Sequence, residues 1–302
     1  MDVVIAGGSG FIGSALGRSL EADGHRVIRM VRPASTGAAG DTIAWAPGTS
    51  RIDGKALEGV DAVVNLGGVG IGDAKWTDDR KGEILQSRLS ATGLLAEAIA
   101  RLEQPPPVFV SASAVGYYGN RGDAELTEDS APGDDFLAGV CVAWEDAARP
   151  AAVAGVRVAW IRTGLVLHPS GGVLKQLLLP FKLGLGGRLG KGTQYMSWIT
   201  LDDEVAAIRK VIDDHTLGGP VNLTAPNPVT NAEFTATMGR VLGRPTAIPT
   251  PLLPLKLRYG KELVQSLLLD GQRVLPAKLE DAGFDFGHTE LEPALRSLLG
   301  KE

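Results

Sequence analysis

Short apolar runs alternate with helical periodicities through the first two-thirds of the chain. Residues 3–6, "VVIA", are apolar without alternation and predict a buried strand. The glycine-rich "GGSGFIG" follows at once. Ile12, Leu16 and Leu20 then recur at helical spacing, and Gly24 stops the helix. Further strands are predicted at residues 25–33, 41–45, 61–68, 106–114 and 156–167. Helical spacing is predicted at 87–102 and in the first half of 140–155. Strands and helices that alternate in this way form right-handed crossovers around a parallel sheet. The expected fold class is α/β, a Rossmann-type doubly wound parallel sheet, with ligands at the carboxyl ends of its strands.

The pattern changes near Leu167. "HPSGGVLKQLLLPFKLGLGGRLGKGTQ" is glycine-rich and mildly basic, and reads as a long, partly helical excursion. "MSWITLDDEVAAIRKVI" predicts a short strand entering a helix, with Asp202 and Asp203 near the helix start, where carboxylates suit the dipole. "GPVNLTA" is another strand. "PVTNAEFTATMGRVLG" is a helix with Thr230 or Asn231 as N-cap and Glu233 in its first turn. The expected organisation is a dinucleotide-binding domain over 1–167, with later strands at about 196–225 returning to it. A smaller C-terminal α+β substrate-side region would occupy 168–195 and 226–302.

Composition narrows the function classes. A chain of 302 residues with 44% apolar content can build one large or two joined cores. A net charge of −5 gives no broad basic surface, so neither nucleic acid nor a membrane is expected as partner. The single cysteine, Cys141, cannot form an internal disulfide. No leader pattern precedes the first strand and no apolar stretch is long enough to span a bilayer, so a cytoplasmic location is expected.

The glycines can be read as Gly7-x-x-Gly10-x-x-Gly13 or as Gly8-x-Gly10-x-x-Gly13. A strand-to-helix turn of this composition lets backbone N–H groups approach a pyrophosphate at the helix N-terminus. The next strand ends in Val31 and Arg32 rather than in an acid. A carboxylate there would suit a free ribose, whereas a guanidinium suits a 2′-phosphate, so NADP is the expected cofactor. His25, His168, His215 and His288 have no metal-ligand spacing, and Gly-x-Ser-x-Gly is absent from the sequence.

"VVIAGGSGFIGSAL", "DAVVNLGG", "FVSASAVGYYG", "IRTGLVL" and "SWITLDDEVAAI" stand in an order and spacing that resemble the extended short-chain dehydrogenase/reductase superfamily. The chain is most similar to an atypical branch, the NAD(P)-binding epimerase-family proteins (nucleoside-diphosphate-sugar epimerase-like). "SASAVGYYGNRGDAELTEDSAPGDDFLAGVCVAWE" and "PFKLGLGGRLGKGTQYMSWI" carry that closer resemblance, and the end of the chain resembles the branch's C-terminal domain of unknown function. The resemblance implies that Gly7, Gly10 and Gly13 hold the phosphates, with Ser9, Phe11 and Ile12 supplying turn backbone. It implies that Val31 and Arg32 read the adenosine 2′-substituent, and that Asn65, Leu66 and Gly67 lie against adenine and ribose. Ser111 to Ser113 would pass under the nicotinamide, with Arg162 and Thr163 beside it. Ser87 and Arg88, at a helix start, would reach the ribose or phosphates; simple capping is an equal reading for Asn65 and Ser87.

The usual catalytic pair of that superfamily, Tyr-x-x-x-Lys, occurs nowhere in this sequence. Phe136 or Leu137 stands in the place of the tyrosine, and Val140 or Cys141 in that of the lysine. Ser113 keeps the position of the catalytic hydroxyl. Tyr117 is the candidate acid, against a reading in which Tyr117 and Tyr118 are packing aromatics. Lys75, Asp78, Lys81 and Glu83 are further polar candidates on a segment expected to cover the substrate side. Cys141 reads as a buried structural thiol. Two functions are expected from these features: an NADP-dependent oxidoreductase or epimerase of a small-molecule substrate, or a non-catalytic NADP(H)-binding sensor or scaffold.

Overall fold

The computed structural model describes residues 1–32, 40–49 and 51–301. The first apolar run forms β1 (Asp2–Ala6), and α1 (Phe11–Ala22) follows directly after the glycines. Then come β2 (Arg26–Val31), β3 (Asp41–Ala46), β4 (Arg51–Ile52), β5 (Ala62–Asn65), α2 (Asp78–Ile99) and β6 (Val108–Ala114). A single 3-10 turn, Val115–Tyr118, leads to β7 (Glu125–Leu126), α3 (Phe136–Asp146), α4 (Arg149–Val153) and β8 (Arg157–Thr163). The remainder comprises β9 (Leu165–His168), α5 (Gly172–Lys182), β10 (Tyr195–Met196), β11 (Trp198–Thr200), α6 (Leu201–Asp213), β12 (Gly219–Leu223), β13 (Val229–Thr230) and α7 (Asn231–Leu242). It ends with α8 (Leu252–Tyr259), α9 (Lys261–Val264), β14 (Arg273–Val274), α10 (Ala277–Asp281) and α11 (Leu291–Leu299).

Eight strands make the main sheet in the order β12-β8-β6-β5-β1-β2-β3-β4. Every neighbouring pair is parallel except β3 with β4. The fold is therefore the expected Rossmann-type α/β sheet. The chain runs outward from β1 through β2 and β3, then crosses back to β5 on the other side of β1. That reversal opens a crevice at the carboxyl ends of β1 and β5, where the glycine turn lies. One face buries Val3, Ile5, Val64, Val110 and Ile161 with Leu16 of α1 and Ile208 of α6. The other buries Val4, Ala6, Ile28 and Phe109 with Leu95 of α2 and Ala151 of α4. Strands covered on both faces read as continuous apolar runs, which is why they were visible in the sequence.

A third core, with Phe181, Trp198, Phe234, Met238 and Leu295, joins α5, α7 and α11. Two local expectations need correction. The single strand at 156–167 is two strands, broken at Gly164, where an ideal Cβ would lie 2.4 Å from the Ser197 carbonyl oxygen. β9 then pairs with β11 outside the main sheet, whereas β12 lies beside β8 within it. The helix expected from Ser87 begins nine residues earlier, at Asp78, where the Thr77 side chain caps it by accepting the Arg80 N–H. Helix starts expected further on are present: Thr200 caps α6 through Asp203, and Thr230 caps α7 in a reciprocal capping box with Glu233.

Candidate cofactor cleft and active site

The turn after β1 has no room for side chains. Gly7 sits at φ 82°, and an ideal Cβ there would come within 2.9 Å of the Leu66 carbonyl carbon. A Cβ on Gly13 would lie 2.3 Å from the Gly7 carbonyl oxygen. Gly10 donates to that same oxygen at 2.9 Å and stands at the N-cap of α1 with no side-chain cap. The first turn of α1 holds no acid, so its N–H groups face outward uncompensated. Ser9 and Gly10 are exposed, and Phe11 and Ile12 are half-buried. The Phe11 ring lies against Gly171, whose Cβ would strike it, and so ties the turn to the segment after β9. A diphosphate fits this cradle; a bulkier residue at Gly7 or Gly13 would fill it.

At the next strand end, Val31 is half-buried and Arg32 is exposed; residues 33–39 lie outside the described residues. Asn65 is fully buried and spends its amide locally. It donates to Thr92 Oγ1 at 2.8 Å and accepts from the Gly67 N–H at 3.2 Å, which shapes the chain at Leu66 and Gly67. Ser87 lies well inside α2, not at a helix start. Its hydroxyl donates to the Ile84 carbonyl and accepts from Val69 N–H, pinning the loop after β5. The neighbouring Arg88 is buried. Its guanidinium donates to the Val69 and Ile84 carbonyls, crosses the Trp144 ring at 4.8 Å and lies against Gly68. Burial lowers its pKa, and among the described residues it has no carboxylate partner.

The other buried arginine is in the opposite condition. Arg162 on β8 grips Glu145 of α3 with two bonds of 2.9 Å each. Burial opposes its charge, but the Glu145 carboxylate outweighs that and holds the guanidinium above its ordinary value. The same carboxylate accepts from Ser113 Oγ at 2.6 Å. Arg162 also donates to the Tyr118 hydroxyl at 3.0 Å, which in turn donates to Asn222 Oδ1 at 2.7 Å. Burial pushes the Tyr118 phenol up to about 12. Tyr118 is thus a structural member of the network. Tyr117 stacks on the Arg162 guanidinium, 3.4 Å from ring centre to Cζ, and makes no side-chain hydrogen bond among the described residues. Ser113 and Tyr117 are brought together around one arginine; Glu145 was the member missed. Its only signal was an acid directly after the apolar stretch "VCVAW", with Asp146 beside it.

Where the superfamily carries Tyr and Lys, α3 presents an apolar face. Phe136, Leu137 and Val140 pack with Trp76, Ile84 and Leu263. Cys141 is buried beside Gly116, and burial raises its thiol to about 12. The segment after β5 meets the C-terminal region directly. Lys81 Nζ lies 2.5 Å from Glu262 and 5.1 Å from the Phe136 ring centre, and the Lys75 stem lies against Gly260. Glu83 pairs with Arg80, and Asp78 sits in the first turn of α2. Lys81 and Glu83 are therefore held by partners. Across β8, Thr163 Oγ1 donates to Glu204 at 2.8 Å. Glu204 is fully buried, its second oxygen has no partner among the described residues, and burial pushes it up to about 8. No metal-binding cluster of His, Cys, Asp or Glu occurs among the described residues.

Comparison with known proteins agrees with this geometry. The model of the NAD dependent epimerase/dehydratase family matches residues 3–223, and a domain of unknown function matches residues 250–298. "Epimerase family protein Mb2239" of Mycobacterium bovis is 46% identical, over 97% of this chain and 96% of its own. "Epimerase family protein SDR39U1" of Homo sapiens is 36% identical, over 99% of this chain and 100% of its own. The crystal structure of human SDR39U1 (isoform 2) with NADPH superposes with a TM-score of 0.91, 36% identity and full coverage of both chains. A nucleoside-diphosphate sugar epimerase from Corynebacterium glutamicum gives 0.82 at 38% identity, over 100% of this chain and 59% of that one.

Proposed function

The chain belongs to the NAD dependent epimerase/dehydratase family, and from that premise we propose that it is an NADP(H)-dependent oxidoreductase or epimerase of a small polar substrate. One observation carries the cofactor reading: an uncapped helix N-terminus faces a turn in which Gly7 and Gly13 exclude any side chain. NADPH in the human relative's structure supports the phosphorylated cofactor, as does exposed Arg32 at the end of β2. In this reading the backbone of residues 7–13 clasps the diphosphate and Arg32 meets the 2′-phosphate. The bound cofactor would supply or accept hydride.

The protein side of the chemistry falls to the carboxyl end of β6. The Ser113 hydroxyl donates to Glu145, which leaves its oxygen lone pairs to act as the acceptor. The Tyr117 hydroxyl makes no hydrogen bond among the described residues, and stacking on Arg162 fixes its ring. It is the group to move a proton to or from the substrate. A second reading, a non-catalytic NADP(H) sensor or scaffold, draws support from the apolar face of α3 and from the inert Cys141 thiol. A cytoplasmic site of action fits both readings; no helix among the described residues is long and apolar enough to cross a membrane.

Thermal shift at matched concentrations tests the cofactor assignment. NADPH is expected to raise the melting temperature more than NADH. Arg32→Glu is expected to abolish or reverse that preference, about a tenfold change in relative affinity. An unchanged preference overturns the role given to Arg32.

A further inference from the structure

Six of the nine large apolar side chains exposed among the described residues gather in one part of the molecule. Leu179 on α5 and Leu183 at its C-cap stand one turn apart, and Leu185 follows. Ile248 precedes α8, whose outer face carries Leu253 and Leu257, again one turn apart. These six side chains are 64–80% exposed. Among the described residues none in α8 is buried, although four of its eight residues are leucines. A soluble helix ordinarily turns its leucines inward, and an outward face of this kind marks an interaction surface.

The two segments run side by side. Leu189 bridges Thr250 in parallel, and Gly184 and Gly190 lie against Pro245 and Leu252. Their charge is one-sided. Residues 170–194 and 234–261 hold nine lysines and arginines and no aspartate or glutamate, in a chain whose net charge is −5. Arg240 pairs with Glu292; the other eight have no carboxylate partner among the described residues. Lys182 adjoins Leu183 on α5, while Lys256 and Arg258 flank Leu257 on α8.

Against the expectation of no membrane partner drawn from net charge alone, we propose that this leucine face, with its surround of lysine and arginine, docks the protein peripherally on an anionic lipid surface. Exposed leucines enter the boundary between headgroups and acyl chains, and the flanking cations meet the negative headgroups. A second copy of the chain is the poorer occupant. A two-fold contact would set one cationic rim against another with no acid between them. The stems of Lys and Arg can lie along the apolar surface while their charges stay in the headgroup layer.

Co-sedimentation of the full chain with phosphatidylcholine vesicles, with and without phosphatidylserine, tests the proposal. Binding is expected only to the phosphatidylserine vesicles, weakening at least tenfold as salt is raised. Leu253→Ser with Leu257→Ser, and separately Lys256→Glu with Arg258→Glu, are each expected to lose at least tenfold in binding. Because all four side chains lie on the surface or its margin, melting temperatures should match the parent. Val153→Ser, an equally exposed apolar residue on α4, is expected to change nothing. Absence of binding to phosphatidylserine vesicles overturns the proposal. So does equal binding to both vesicle types, or to the parent and the leucine variant. A dimer in solution that the leucine variant dissociates also overturns it, in favour of a second copy.

Discussion

Two guanidiniums are buried near the carboxyl ends of the central strands, and among the described residues only one has an acid. Around Arg162 every nitrogen has a partner: Glu145 takes two bonds, Tyr118 a third and the Glu128 carbonyl a fourth, with Ser113 and Asn222 extending the network. Around Arg88 the acceptors are backbone carbonyls and the face of Trp144. A buried pair with satisfied hydrogen bonds is a strut, because removing either half strands the other. A buried cation without an acid costs stability, and such a cost at a cleft is ordinarily met by a ligand. The region around Arg162 is thus finished in the protein itself, while the region around Arg88 holds a buried charge with no carboxylate partner among the described residues.

The strongest way to break this comparison is Glu145→Ala. It leaves Arg162 charged in the interior and frees Ser113 from its acceptor. The expected loss is about 3–5 kcal/mol of stability, read by chemical denaturation. A loss below about 1 kcal/mol would mean that water reaches Arg162 and that the network is no strut.

Arg88→Met sharpens the other side. Methionine keeps apolar bulk over Trp144 and removes the unpaired charge. The Ile84 carbonyl still accepts the Ser87 hydroxyl, so little is left unsatisfied. The melting temperature without ligand is expected to stay level or rise. NADPH and NADH affinity should fall together by about tenfold, or about 1.4 kcal/mol, measured by calorimetry. Arg32→Glu, by contrast, should weaken NADPH alone. A destabilised Arg88→Met protein that binds both cofactors normally would place Arg88 with Arg162, among the struts.

The two regions also differ in how far the sequence disclosed them. The glycine turn was legible because strand, turn and helix are local, and Gly7, Gly10 and Gly13 obey a steric rule acting across a few residues. The start of α6 at Asp202 and Asp203, and the cap of α7 at Thr230 or Asn231, were legible for the same reason. The start of α2 was hidden because its first two turns, "DDRKGE", are polar and carry no apolar periodicity. The Glu145–Arg162 pair joins residues 17 apart on different elements, and no spacing rule encodes it. Nor could a pattern reader expect α8 to turn its leucines outward, since apolar spacing marks a face without saying whether that face is covered.

The stability change expected at Tyr117 is small and the most discriminating, because the adjacent tyrosines are chemically identical and differ only in surroundings. Tyr118 is fully buried, accepts from Arg162 and donates to Asn222. Tyr118→Phe leaves Asn222 Oδ1 without that donor and is expected to cost about 1–3 kcal/mol. Tyr117 has no hydrogen bond to lose among the described residues, and phenylalanine keeps its ring over Arg162. Tyr117→Phe should therefore change stability by less than about 0.5 kcal/mol and leave NADPH affinity unaltered. If Tyr117 moves the proton, that silent substitution must lower turnover at least a hundredfold in any reduction the protein performs, with KM little changed. Unaltered turnover would transfer the proton to another group and leave Tyr117 as packing for a guanidinium.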